Sequence, residues 1–324
     1  MKLATALGVF GVILLVFSIV WITVIEPDLE KLPTDLDESY TADAQITDTF
    51  GLLGFPSKTI DIVIEHRQQA IDSDGDVLTI KEQVTPDPAI PGTGILEPAT
   101  LQMSVDRDSR EFLQGYEGDD RQREGLWAYP VGVKKQDYAV WSETAGSAPI
   151  AHFDSEGELD GLDVYNFVTD EKDLPYDFDL VPGLPIPLVM DFRIDEQIEP
   201  HTGITVNIQS ELTAKVWITS DLLAMLDNPA VLATLPDNIQ PVVNMLPDEV
   251  GPEGMKLPVL TVKRQYSDET VAEKVSDAKD YKTQLLWATK YGLWLGIGFG
   301  VVLLLVGGWL FLRARSKSLP ADIN

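Results

Sequence analysis

The sequence predicts a β-rich (α+β) exported domain, sandwich or barrel-like, between an N-terminal and a C-terminal transmembrane helix. Three observations predict it. Two uncharged apolar runs, Leu3 to Ile25 and Tyr291 to Leu312, bracket a polar middle. Short β-branched and aromatic runs recur through that middle between turn residues. The 21 prolines, frequent around 86–98 and 175–187, discourage long helices there.

The 324 residues carry 52 acidic and 24 basic side chains, a net charge of −28. Setting aside Lys2, Arg313, Arg315, Lys317 and Asp322 at the ends leaves 51 acids and 20 bases, net −31. Such a domain repels nucleic acid, because no basic stripe remains to neutralise phosphates. The absence of cysteine excludes disulfide scaffolds, zinc ribbons and cysteine nucleophiles.

The first element, residues 1–26, exceeds the roughly 20 residues a helix needs to cross ~30 Å of hydrocarbon. It is too long for a signal-peptide h-region of ~7–15 residues. Thr23 is followed by Glu26, Pro27, Asp28 and Glu30, with no small-x-small cleavage site. An uncleaved anchor is expected. The second span, 291–312, is followed by Arg313, Arg315 and Lys317 in the tail 313–324. The positive-inside rule then places both termini in the cytoplasm and the middle outside the plasma membrane, with Lys290 the one dissenting charge. Neither span holds an ionisable residue, which argues against a proton relay or ion path within them.

Gly292, Gly296, Gly300 and Gly308 lie four or eight residues apart on the second span, and Ala4, Gly8, Gly11 and Ser18 form a looser row on the first. Small residues at this spacing let helices approach closely in lipid, so the two spans are expected to pack antiparallel. Glycine is also simply common in such helices.

Between the spans, 27–266 forms the acidic domain. Strands are expected at Thr59–Glu65, Asp76–Glu82, Leu162–Val168, Ile204–Gln209, Leu212–Ile218 and Leu257–Tyr266, with a hairpin turn at Asp74-Gly75. Ser220 is the expected N-cap of a helix over Asp221–Leu226, followed by a second piece over Ala230–Leu235. Their apolar residues Leu222, Leu223, Leu226, Val231 and Leu232 read as a lid over a cavity or as a satellite core. From Ser267 onward, Val271, Val275, Ala278, Tyr281 and Leu285 recur at helical spacing, and no proline intervenes before 312. Residues 267–290 are therefore expected to form a stalk helix continuous with the second span.

Candidate chemistry is sparse. Asp72-Ser73-Asp74-Gly75-Asp76 places glycine fourth and Gln83 twelfth, which departs from a calcium loop and reads as a hairpin turn. Asp154-Ser155-Glu156-Gly157-Glu158 is discounted as a calcium loop in the same way, since acidic clusters arise by composition alone in so acidic a domain. His66, His152 and His201 lack metal-ligand spacing, and no nucleophile elbow, Walker or dinucleotide motif occurs. No catalytic, cofactor or metal residues are assigned, and no cofactor is expected.

Longer motifs follow one another in a definite order: Val105-Asp106-Arg107, Gly125-Leu126-Trp127-Ala128-Tyr129-Pro130, Tyr138-Ala139-Val140-Trp141, Gly161 to Phe167 and Glu199-Pro200-His201-Thr202-Gly203. In this order the chain resembles the actinobacterial two-span envelope proteins labelled the porin PorA family. The resemblance covers nearly the whole chain, both spans included, and implies a pore-like component. A transmembrane barrel, however, needs many lipid-facing strands of ~10 residues, and this middle is too acidic and proline-rich to supply them. The expected function is a non-enzymatic binding or structural role in the cell envelope. The alternatives are a receptor or carrier for an apolar envelope molecule, or a porin-like oligomer. Membrane lipids, an envelope lipid or protein, and a second copy are the expected partners.

Overall fold

The computed structural model describes all residues except 1, 52–58, 90–96, 117–121, 177–185, 234, 236–239 and 317–324. It divides into a sheet unit, Pro33–Ala278, and a helical unit, Met1–Leu32 with Lys279–Asn324.

The sheet unit is built on eleven antiparallel strands: β1 Asp37–Asp48, β2 Thr59–Asp74, β3 Val77–Asp87, β4 Ala99–Asp106, β5 Phe112–Leu113, β6 Tyr138–Ala139, β7 Ile150–Leu159, β8 Leu162–Pro175, β9 Leu188–Ile198, β10 Thr205–Ile218 and β11 Met255–Tyr266. Their order is β5-β4-β3-β2-β1-β11-β10-β9-β8-β7-β6. Each strand neighbours the next in sequence except at β5 and β6, and the last strand returns to pair with the first, Ala42 opposite Tyr266. The gap between β5 and β6 is bridged by Gly125–Trp127. Phe112 N donates to Gly125 O, Leu126 N to Ala139 O, and Trp141 N to Leu126 O, each at 2.9–3.0 Å. Gly125 has φ +72°, and a Cβ there would lie 2.7 Å from Ala139 O, so this bridge requires glycine.

Alternation fixes which face is inward. On β1, Ala42, Ala44 and Ile46 are buried while Asp43 and Gln45 are exposed. Ala44 and Ile46 join Ile62, Met190, Leu212 and Val259 in one core cluster. A second cluster gathers Leu126, Tyr129, Val133 and Tyr138 on Ala151, Phe167 and Ile198.

Several expectations are corrected here. The runs 204–209 and 212–218 form the single strand β10. The cluster Asp154–Glu158 lies inside β7, exposed acids alternating with half-buried Ser155 and Gly157. The Asp74-Gly75 hairpin is present, with Asp74 opposite Val77.

Three short helices follow β10: α3 Ser220–Leu226, α4 Pro229–Leu232 and α5 Gln240–Val243, numbered after the first two helices of the helical unit. The N-cap of α3 is Thr219 and not Ser220, since the Thr219 hydroxyl accepts from Leu222 N at 3.2 Å. The start of α6, Asp268–Leu286, belongs to the sheet unit up to Ala278. Ser267 Oγ accepts from Thr270 N, and Thr270 Oγ1 exchanges hydrogen bonds with the Thr41 backbone. Val275 and Ala278 then bury against Leu162, Val164 and Val206.

In the helical unit, α1 Lys2–Val20 continues through a π turn, Trp21–Ile25, into α2 Glu26–Leu29. The C-terminal part of α6 continues through a second π turn, Trp287–Gly292, into α7 Leu293–Ser316. Helical hydrogen bonding thus persists across the expected stalk and span, with a wider turn at 287–292. Both α1 and α7 are long and apolar enough to cross a membrane. Trp21 Nε1 donates to Ala288 O at 2.9 Å, and Tyr281 OH to Leu29 O at 2.7 Å.

Candidate functional site

The motif segments, far apart in sequence, meet at one place on the inner face of the sheet. Arg110, just after Val105-Asp106-Arg107, has a left-handed backbone with φ 63°, uncommon for a residue with a side chain. Asp106 Oδ1 holds the preceding turn by accepting from Asp108 N and Ser109 N. The buried Arg110 guanidinium donates to the carbonyls of Tyr129, at 2.5 Å, and Thr202, at 3.4 Å. One side chain therefore ties the Gly125–Pro130 segment to the Glu199–Gly203 turn.

That turn is built around a carboxylate. Glu199 is fully buried; its Oε2 accepts from His201 N at 2.9 Å and Thr202 N at 2.8 Å, and its Oε1 meets His201 Nδ1 at 3.0 Å. Gly203 has φ +73°, and a Cβ there would lie 2.4 Å from Pro130 O and 2.5 Å from Tyr129 O. The motif glycine is demanded by the close approach of the two segments.

Tyr129 fills the junction. Its ring packs on Tyr138 and Phe167, and its hydroxyl donates to Glu196 Oε2 at 2.8 Å. Burial pushes the Glu196 carboxyl up to about 7, which outweighs the opposite pull of the Tyr129 hydrogen bond. Burial and the adjacent carboxyl push the Tyr129 phenol far above its usual range. Beyond lie Tyr266, its phenol raised by burial, and Tyr40, stacked on His66 at 4.7 Å. His66 Nδ1 meets Glu82 Oε1 at 3.0 Å. Arg123, fully buried, donates from Nε to Glu143 Oε1 at 2.7 Å and from Nη1 to Gln102 O at 3.4 Å.

The three histidines thus each face a different carboxylate, with His152 against Asp137. Among the described residues no group of three or more His, Asp or Glu is placed to hold a metal ion. On the opposite, charged face of the sheet, Asp43, Gln45, Lys263, Glu211, Arg193 and Asp195 line an open trough of about 680 Å³. Arg193 and Asp195 pair there at 2.6 and 2.8 Å, and Lys263 lies 3.4 Å from Glu211.

The remaining sequence-derived sites fall elsewhere. Leu222 and Leu226 are buried with Ile218 and Leu235, and Leu223 and Leu232 pack at the edge of that cluster. This is the arrangement of a satellite core; Val231 is half-buried outside it. In the helical unit, a Cβ on Gly296 would lie 2.8 Å from Ser18 Oγ, and one on Gly300 3.1 Å from Leu15 and 3.3 Å from Gly11 O. Gly308 has nothing within 4 Å, whereas Gly307 is buried. The contact row therefore keeps the four-residue register as far as Leu304, which lies against Gly11, and the next buried position is Gly307, three residues on, instead of Gly308. Gly8 is likewise off the seam, and the side-chain environment of Gly292 lies outside the described residues. Lys317 also lies outside them.

Sequence reasoning missed Glu196 as an interior group because 52 acids conceal the few that face inward, and missed Arg110 and Arg123 because no local pattern marks them as buried. One signal was available for Glu196: it follows Met190, Phe192 and Ile194 at alternate positions and precedes Ile198.

Fold and site together define a β-rich domain bracketed in sequence by two apolar helices of membrane-crossing length, its interior closed by a polar junction. The family model for Porin PorA matches residues 3–309, and the chain belongs to that family. No curated protein matches it.

Proposed function

We propose that this protein is a two-span, membrane-anchored envelope protein whose acidic domain lies outside the plasma membrane and serves a non-enzymatic binding or structural role. The observation that carries this reading is the convergence of the motif segments on a packed, hydrogen-bonded interior. Glu196, Glu199, Arg110 and Arg123 are each engaged in holding segments together. We read the circular strand order and its Gly125–Trp127 bridge as barrel-like closure of a water-soluble kind. Its outward positions carry Asp43, Asp61, Glu211 and Lys263, which no lipid-facing strand tolerates at the bilayer centre. Anchorage falls to the two apolar helices, and a pore would need several copies of spans that offer no polar lumen.

Arg313 and Arg315 against the acidic start of the domain favour cytoplasmic termini. The absence of native cysteine makes labelling direct. An impermeant maleimide should modify Glu158→Cys, at an exposed position of β7, in intact cells and spare Ser318→Cys; the reverse pattern inverts the topology. The purified chain should also leave planar bilayers silent. Reproducible conductance steps, lost on deleting the spans, would replace this reading with the pore that the family's description suggests.

A further inference from the structure

We propose that Glu196, buried beneath Tyr129, is a proton-dependent clasp, which keeps the Gly125–Pro130 segment seated between β5 and β6 while Glu196 is neutral. The geometry points to it from three sides. Glu196 sits at an inward position of β9, opposite Ile208 on β10 and Phe167 on β8, both uncharged. The 125–130 segment offers it the Tyr129 hydroxyl at 2.8 Å. β11 offers the phenol of Tyr266, which is coupled in turn to Tyr40 on β1, Glu82 on β3, Glu38 and Arg264. No described cation bonds to Glu196; the nearest tie to a guanidinium runs through the Tyr129 carbonyl to Arg110.

A buried carboxyl with one neutral donor and no cation is held uncharged by the loss of water around it. Ionisation keeps the hydrogen bond from Tyr129 and even strengthens it, but that one donor does not replace a hydration shell. The ionised form is relieved by admitting water, and the element that can yield is the segment carrying Tyr129. This segment belongs to no long strand and is pinned by Arg110, Gly203 and the bridge at Leu126.

The sign follows from the raised pKa, about 7 against an ordinary 4.5. The seated state holds its proton more tightly than the opened one. Its advantage is complete below about 4.5, and it is lost as pH rises to about 7.

The test is amide hydrogen exchange of residues 125–130 in the full chain in detergent, corrected for intrinsic exchange, between pH 4.5 and 9. The opening constant should rise about tenfold per pH unit and level off near neutrality. Glu196→Gln should remove that dependence. Tyr129→Phe should move the plateau to higher pH, because it deletes the donor that favours the charged form. The same slope in wild type and Glu196→Gln, or a plateau moved down by Tyr129→Phe, would overturn the clasp. Should Glu196→Gln not fold, the infrared carbonyl band of a protonated carboxyl in the wild type decides. Its loss with a midpoint near 7 supports the proposal, and its absence at pH 6 rejects it.

Discussion

Where Gly11 of α1 meets Gly300 of α7, a Cβ on Gly11 would lie 2.9 Å from the opposing carbonyl oxygen and 2.9 Å from Leu304 Cγ. Where Gly203 meets the Tyr129-Pro130 segment, the corresponding distances are 2.4 and 2.5 Å, both to backbone carbonyls. The two contacts look alike but rest on different physics. In the helical pair the backbone groups are already satisfied within each helix, so close approach adds packing, and one of the obstructing atoms belongs to a side chain that can shift. At the junction the opposing atoms are carbonyls, that of Tyr129 held by Arg110, and Gly203 has a positive φ, so no side-chain rotation relieves the contact and the whole segment would have to move.

That difference is open to direct comparison. Gly203→Ala should destabilise the chain by on the order of 3 kcal/mol, combining a forbidden contact with left-handed backbone strain. Gly11→Ala should destabilise it by less, since Leu304 can rotate aside, the φ is helical, and two helices with internally satisfied backbones can part by a few tenths of an ångström to clear the Gly300 carbonyl. Denaturant unfolding of the two variants in one detergent reads both; equal losses would end the distinction.

Arg123 probes the polar character of the sheet interior. Removing one partner of a buried ion pair typically costs about 3–5 kcal/mol. Here Glu143 retains 33% side-chain exposure and can be rehydrated, so about 2 kcal/mol is expected for Arg123→Met. Adding Glu143→Leu should recover part of it. A double variant no better than the single would mean that the carbonyl of Gln102, and not the carboxylate, is the partner that matters.

The two regions also differ in how much of them can be read from sequence. The spans are long uncharged runs, and four of the small residues picked out in them, Gly11, Ser18, Gly296 and Gly300, do lie where α1 and α7 touch. Gly308 does not, because a strict four-residue repeat drifts off a helical contact face, and Gly307 sits inward instead. In the sheet unit, β2, β3, β8, β10 and β11 announce themselves through β-branched runs. β1 does not, because its inward residues include Ala42 and Ala44, too small to register as a hydrophobic alternation. β7 is hidden by Asp154, Glu156 and Glu158, which all point outward. The motif order marks the junction without revealing its pairings. Nothing local in the sequence says that Arg110 reaches Thr202, ninety-two residues away, or that Tyr129 reaches Glu196.

The revised seam yields a smaller effect. Gly300→Leu places a branched side chain against Leu15 and Gly11, and overpacking of this kind typically costs about 1–3 kcal/mol. Gly308→Leu meets open space and should be nearly neutral. Cysteines introduced at Ser18 and Gly296, in a chain with none of its own, would report the contact by disulfide yield. The yield should fall for Gly300→Leu and hold for Gly308→Leu. The opposite ranking would restore the four-residue register.

The smallest expected effect concerns the π turns. A π turn widens the helix by one residue and leaves carbonyl groups less regularly served than in an α-helix. Here Ala288 O, inside the turn 287–292, accepts from Trp21 Nε1, itself the first residue of the other π turn. Trp21→Phe keeps an aromatic ring against Phe17 and deletes that donor alone. Interhelical hydrogen bonds in lipid average only about 0.6 kcal/mol, because the freed group finds other partners. The amides of Trp287–Gly292 should therefore exchange only about threefold faster, at about 1.4 kcal/mol per tenfold. Exchange further along α7, from Leu293 onward, should be unchanged. Acceleration spreading through α7 would instead make this one indole a support of the whole helical seam, and the contrast between a seam of packing and a junction of hydrogen bonds would no longer hold.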